Sequence, residues 1–220
     1  MQKKSTILIL LIVLTSVANA QFTKGQKVLG GNGGFSTGTS EINVSDKNIS
    51  KNTSISINPT LSKFTKSNQL VGIGVSYAYT YQKFISSNLQ DYQKSRSNSF
   101  GANIFTQKFF PIAPKFFFTT QLKASADYSY GSNNYSTQTY IVTNKGLAVA
   151  VSVIPGLTYQ LTNRWLIDGF LNNLFLAGYS YNWTYTPFDK RTTKNFTVSS
   201  SLTNLTSGNL ALGFRYLLRN

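Results

Sequence analysis

Acid–base, nucleophilic and metal chemistry each need particular side chains, and this chain is poor in them. It contains no histidine and no cysteine. Proton transfer near neutral pH and activation of a serine or threonine therefore lack their commonest agent. The usual zinc and other transition-metal ligand sets are missing for the same reason. Six carboxylates remain: Glu41, Asp46, Asp91, Asp127, Asp168 and Asp189. Glu41 and Asp46 imitate a fragment of a calcium loop, but no third carboxylate stands at a suitable spacing. The sequence therefore leads us to expect no catalytic residue, no cofactor and no metal, and a protein that is not an enzyme.

Positive charge, by contrast, is abundant. Lysine and arginine number 21 against six acids, a formal net charge of +15. Such an excess favours anionic surroundings, whether nucleic acid, lipid phosphates or polysaccharide. Two groups of charges stand out. Lys123, Asp127, Asp168 and Arg215 interrupt segments of alternating apolar residues. Lys94, Arg96, Lys190, Arg191 and Lys194 lie in or beside polar stretches, as do Lys47, Lys51 and Lys145. What either group can do depends on the elements that carry it.

The first twenty residues read as a secretory signal. Lys3 and Lys4 give a positive start, Ile7 to Val17 is mostly apolar, and Ala18-Asn19-Ala20 is a small-x-small cleavage site. The apolar run is too short for a spanning helix. Cleavage between Ala20 and Gln21 leaves a single domain, residues 21–220, in which 19 basic residues face six acidic ones once Lys3 and Lys4 are gone. Export makes nucleic acid an unsuitable partner. The lack of cysteine favours a bacterial envelope over a disulfide-bonded secreted domain.

After the leader, hydrophobic residues alternate with polar or small ones instead of forming runs, and a period of two is the side-chain period of a strand. The clearest case closes the chain. Leu210, Leu212, Phe214, Tyr216 and Leu218 occupy one face, and Ala211, Gly213, Arg215 and Leu217 the other. The same reading places strands at about Lys27–Ser36, Thr53–Phe64, Leu70–Tyr81, Asn98–Phe110, Lys115–Tyr130, Tyr140–Tyr159 and Arg164–Trp183. Both faces are apolar from Phe170 to Ala177, which predicts a bulge or register change there. Phe196–Ser207 reads as the upper part of the last strand, interrupted near Ser207-Gly208. Eight strands result.

Short turns near Lys66, Pro111 and Thr162 alternate with four longer polar stretches, Thr37–Asn52, Ser86–Ser97, Gly131–Gln138 and Thr184–Asn195. Short turns at one end, longer loops at the other and an even strand number are the habit of bacterial outer-membrane barrels. On its signal peptide, alternating strands, turn asymmetry and terminal amphipathic strand, the chain resembles the small eight-stranded outer-membrane β-barrels of Gram-negative bacteria. The resemblance implies an all-β, antiparallel, up-and-down transmembrane barrel. It also implies outer-membrane lipids including lipopolysaccharide and the barrel-assembly machinery as partners, and a monomer. Such proteins typically end on an aromatic residue, whereas this chain ends Leu217-Leu218-Arg219-Asn220. Those barrels that are enzymes rely on a histidine, which this chain lacks.

On that scaffold the charges acquire expected places. Lys123 and Asp127 share a strand face, and antiparallel neighbours bring Asp168 and Arg215 to similar heights. Buried charges need partners, so the four are expected to form a lumen network that fixes strand register, with a gate over a narrow passage as the functional alternative. Lys94, Arg96, Lys190, Arg191 and Lys194 are expected to contact anionic surface groups. The functional expectation is a non-enzymatic barrel with a largely plugged interior and a structural or surface-interaction role through its four longer loops. A small passive channel is the first alternative. The second is a secreted lipocalin-like ligand-binding barrel, whose apolar rows would point inward.

Overall fold

The computed structural model describes residues 22–43, 47–86, 91–135, 140–171, 174–200 and 210–218. The proposed signal segment and its Ala20–Gln21 junction lie outside the described residues, as does the interruption expected near Ser207-Gly208. Ten strands are described: β1 (Lys27–Asn43), β2 (Lys47–Lys66), β3 (Gln69–Ser86), β4 (Asp91–Ala113), β5 (Phe116–Tyr135), β6 (Ile141–Gln160), β7 (Trp165–Leu171), β8 (Phe175–Tyr185), β9 (Lys190–Ser200) and β10 (Leu210–Leu217).

Consecutive strands pair antiparallel from β1 to β7, β7 pairs with β10, and β10 returns to β1, so eight strands close a ring. β8 and β9 continue the seventh and eighth strands above it. β6 pairs with β7 through Gly156–Gln160 and with β8 through Thr143–Val153. Phe170 stands opposite Gly156 and Phe175 opposite Val153, so five steps on the seventh strand face three on β6. This is the register change expected between Phe170 and Ala177. The last strand resumes as β9, which pairs with β8 from Lys190 onward instead of starting at Phe196.

The pairing also gives the ring its dimensions. From Lys115, whose carbonyl accepts from Gln160 N, the register runs to Leu166, Arg215, Gly30, Thr60, Gly74, Asn103 and Ser125. One circuit thus advances ten residues along β5, from Lys115 to Ser125. Eight strands about 4.8 Å apart with that stagger tilt by ~40° and enclose a backbone radius of about 8 Å. Side chains just fill such a ring.

Four stretches expected as long loops fold differently. Thr37–Asn43 and Lys47–Asn52 are arms of the β1–β2 hairpin, Asp91–Ser97 belongs to β4, Gly131–Tyr135 to β5, and Thr184–Tyr185 and Lys190–Asn195 to β8 and β9. These arms carry the ladder beyond the apolar rows, where both faces meet water and polar residues suit either side. Only residues 186–189 separate β8 from β9, so the expected loops are largely strand. At the opposite end the turns are tight. Asn68 and Lys115 take positive φ of 59° and 65°. The turn expected at Pro111–Pro114 is confined to Pro114-Lys115, and Pro111 lies in β4 beside a register shift, a place where a missing N–H is tolerated.

The apolar rows point outward. Leu29, Ile57, Leu61, Ile73, Val75, Phe100, Ile104, Leu122, Val149, Leu212 and Phe214 are all exposed. Phe118 and Tyr128 bracket the apolar row of β5. Their separation of ten residues spans ~25 Å along the barrel axis at that tilt, the height of an apolar membrane band. Aromatic residues collect at its two edges. Trp165 lies 5.0 Å from Tyr216 near the short turns, and Tyr181 lies 4.5 Å from Trp183 near the hairpin ends. An outward apolar belt is the inverse of the lipocalin-like alternative, which requires these rows inside.

Candidate functional site: the lumen charges and the basic collar

Inward residues form layers, and the lowest is apolar. Phe22, Val28, Phe64, Leu70, Phe105, Phe109, Phe117, Leu166 and Leu217 make one buried cluster at the short-turn end. Phe22 enters this cluster from below. Its ring stacks on Phe64 at 4.7 Å and meets Phe109 and Phe117 at 5.0 Å each. Asn68, held at the β2–β3 turn, accepts from the Phe22 backbone N–H at 3.1 Å. A lone phenylalanine ahead of the first strand carries no periodic signal, and the sequence alone does not mark it.

Directly above lies the charge pair that the register brings together. Asp168 on β7 is directly opposite Gly213, two residues before Arg215 on β10. Arg215 Nε stands 2.7 Å from Asp168 Oδ2. Its Nη2 donates to Gln107 Oε1 at 2.6 Å, and Thr158 Oγ1 donates to Asp168 Oδ1 at 2.5 Å. The guanidinium lies between the rings of Phe109 and Phe170, 5.6 and 5.7 Å from their centroids. Asp168 is 1% exposed and Arg215 7%, so this is a buried ion pair with aromatic walls. Gly30 faces Arg215 across the β1–β10 seam, and a Cβ there would come within 2.8 Å of Arg215 Cγ. Glycine at position 30 makes room for the side chain.

Lys123 and Asp127 are higher in the lumen and do not join this pair. Four residues along one strand span ~13 Å, so a shared face does not bring them into contact. They line a polar cavity of about 240 Å³ with Ser56, Asn58, Ser76, Ser99, Asn103 and Ser125. Asp127 Oδ1 accepts from Ser76 Oγ at 3.3 Å, and Asn103 Nδ2 donates to Asn58 Oδ1 at 3.2 Å. The four expected lumen charges therefore form two separate groups. Gln107, Thr158, Phe109 and Phe170 complete the lower one, and nothing in the sequence distinguishes them from other strand residues.

The basic surface residues also divide. Lys94 and Arg96 are on the outer face of β4, with Lys94 Nζ 4.7 Å from the Tyr92 ring and the Arg96 guanidinium 5.8 Å from that of Tyr81. Lys190 and Lys194 face outward on β9, 5.4 Å from Tyr185 and 5.5 Å from Tyr181. Arg191 pairs with Thr184, whose neighbours Tyr185 and Trp183 point outward, so Arg191 faces the interior side. β4 and β9 are on opposite sides of the ring, so these residues do not make one surface. Among the described residues no group of His, Cys, Asp or Glu is placed to hold a metal ion.

No family model matches the chain, and no curated protein does. Among solved structures, the chain is similar to Neisserial surface protein A at 14% identity and a TM-score of 0.36, over 91% of this chain and 100% of that one. It is also similar to a major outer membrane protein from Thermus thermophilus at 9% identity and a TM-score of 0.47, again over 91% and 100%. The chain's own strand register closes the ring. It has the architecture of a small transmembrane β-barrel.

Proposed function

We propose that the protein is a non-enzymatic, integral β-barrel of a bacterial outer membrane, exported by its first twenty residues. Its interior is occluded, and its work is structural or surface-interactive. The observation that carries this reading is the pairing of an outward apolar belt with an inward stack of aromatic and ion-paired residues. A ring of about 8 Å radius filled in this way has no continuous water path. The hairpin ends would be the parts offered to the exterior, inserted by the barrel-assembly machinery as a monomer. The chain's lack of histidine and cysteine supports a non-enzymatic role.

Fractionation and a heat-shift gel test the location. The protein should stay with the outer membrane, need detergent, and migrate differently before and after boiling. A detergent-free soluble protein overturns the reading. Proteoliposome swelling in small sugars tests the occlusion, and swelling at porin-like rates would favour the passive channel.

A further inference from the structure

The register brings three lysines into one line on the outside wall. Lys51 on β2 stands directly opposite Lys83 on β3, and Lys83 directly opposite Lys94 on β4. All three are in phase with the outward rows Ile55–Ile57, Tyr77–Tyr79–Tyr81 and Phe100–Ile104. Arg96 follows two residues further down β4, opposite Tyr81. Directly opposed strand residues have Cβ atoms about 5 Å apart, and like charges so placed repel. Among the described residues neither Lys51 nor Lys83 takes part in an ion pair. The outward cations of β9 differ: Lys190 and Lys194 each oppose a tyrosine.

Height and shape point to the counter-ion. On β3 the outward row runs Val71, Ile73 and Val75 through Tyr77, Tyr79 and Tyr81 to Lys83. Lys83 therefore lies ~30 Å above Val71 at the barrel's tilt, level with lipid head groups. Further down β1, β2 and β3 the same wall carries an apolar groove of about 250 Å³, lined by Leu29, Pro59, Leu61, Ile73 and Val75. Its nearer end is about eight residues below the lysines, ~20 Å along the axis. A lipid with an anionic head and extended acyl chains matches that separation.

We propose that Lys51, Lys83, Lys94 and Arg96 bind the phosphomonoester groups of an outer-leaflet glycolipid, with an acyl chain in the groove below. This rests on the membrane reading above. Four positive charges match two phosphomonoesters, each carrying about −1.5 to −2 near neutral pH. A phosphodiester glycerolipid brings a single negative charge and leaves the row unneutralised.

The test uses the full-length barrel in mild detergent, titrated by native mass spectrometry. Its probes are bisphosphorylated lipid A, the monophosphorylated form, and dioleoyl phosphatidylglycerol. One copy of the bisphosphate should bind saturably, and the monophosphate about thirtyfold more weakly, the scale of removing about two charge pairs at a membrane surface. Lys51→Gln/Lys83→Gln/Lys94→Gln should weaken binding about a hundredfold. The charge-matched Lys145→Gln/Lys190→Gln/Lys194→Gln should stay within about twofold of wild type. Equal weakening in both triple variants, no weakening in the first, or phosphatidylglycerol binding as tightly as the bisphosphate would each overturn the proposal. Unchanged heat-shift mobility in both variants confirms that they fold. A wild-type protein soluble without detergent would instead remove the membrane reading on which the site depends.

Discussion

Removing the Arg215 side chain separates two roles for the lumen charges. In Arg215→Ala, Asp168 stays buried at 1% exposure without its cationic partner, and Gln107 loses the donor held at 2.6 Å. Breaking a buried pair from one side destabilises by about 3–5 kcal/mol, chiefly through the charge left behind. Replacing both partners with apolar residues removes that penalty, so Arg215→Met/Asp168→Leu should lie within about 1 kcal/mol of wild type. Refolding into detergent or vesicles across a urea series, read by the heat-shift band, measures both. A gate predicts something else, namely larger single-channel currents once the guanidinium is gone. Below Arg215, however, the rings of Phe22, Phe64, Phe109 and Phe117 still pack against one another at 4.7–6.0 Å. Planar-bilayer traces of Arg215→Ala should therefore stay silent. A stability change below ~0.5 kcal/mol, the level of an ordinary surface substitution, would refute the energetic argument. Stepwise currents would refute the occlusion.

Phe22→Ala deletes the ring that meets three others, and should cost roughly 3 kcal/mol in the same urea series; a change within experimental error would mean that the segment frays. Gly101→Val places a side chain against the Asp127 carboxylate and the Ser76 hydroxyl and should destabilise by about 2 kcal/mol. Gly38→Val meets nothing within 4 Å and should change stability by less than ~0.5 kcal/mol, so equal effects in the two variants would contradict the packing around Gly101. The chain has no native cysteine, which makes crosslinking a clean probe of the seam. Cysteines at Leu29 and Tyr216, directly opposed, should bridge on oxidation, whereas cysteines at Leu29 and Phe214 should not.

The outward rows were legible because lipid and lumen demand opposite chemistries, so a period of two appears in the residues themselves, as along Leu210–Leu218. The polar arms hid their strand character for the complementary reason. Along Thr37–Glu41 and Ile49–Asn52 both faces meet water, so no contrast remains to reveal the period. Asp168 and Arg215 could be matched in height from antiparallel neighbourhood alone, and they do pair. Lys123 and Asp127 share a face but not a contact, since face depends on parity and contact depends on rise. Arg191 shows the same limit in another form. Its basic neighbours Lys190 and Lys194 suggest a surface patch, but alternation turns it to the opposite side. Phe22 and Lys83 became significant only through partners distant in sequence, which periodicity does not report.

A ring of eight strands with a ten-residue stagger leaves little freedom inside, which explains the pairing of small with large residues there. Gly30 faces Arg215, Gly72 faces Phe105, and Gly101 faces Asp127. Each pairing holds in one register only. A two-residue slip of β10 along β1 would bring Arg215 opposite Val28 or Asn32 instead of Gly30, against a side chain where the present register has none. The slip that puts Arg215 opposite Val28 also carries it two residues down β7, from Leu166 to the level of Arg164, away from Asp168, and leaves the buried carboxylate unpartnered. The slip the other way brings Arg215 level with Asp168 and is opposed by the Asn32 side chain at the seam. The outward row would barely register the change, because Leu212, Phe214 and Tyr216 are interchangeable to lipid. The ion pair and the space at Gly30 therefore act mainly on specificity: the first opposes a slip in one direction and the second in both, among registers that the apolar belt leaves nearly equal in energy.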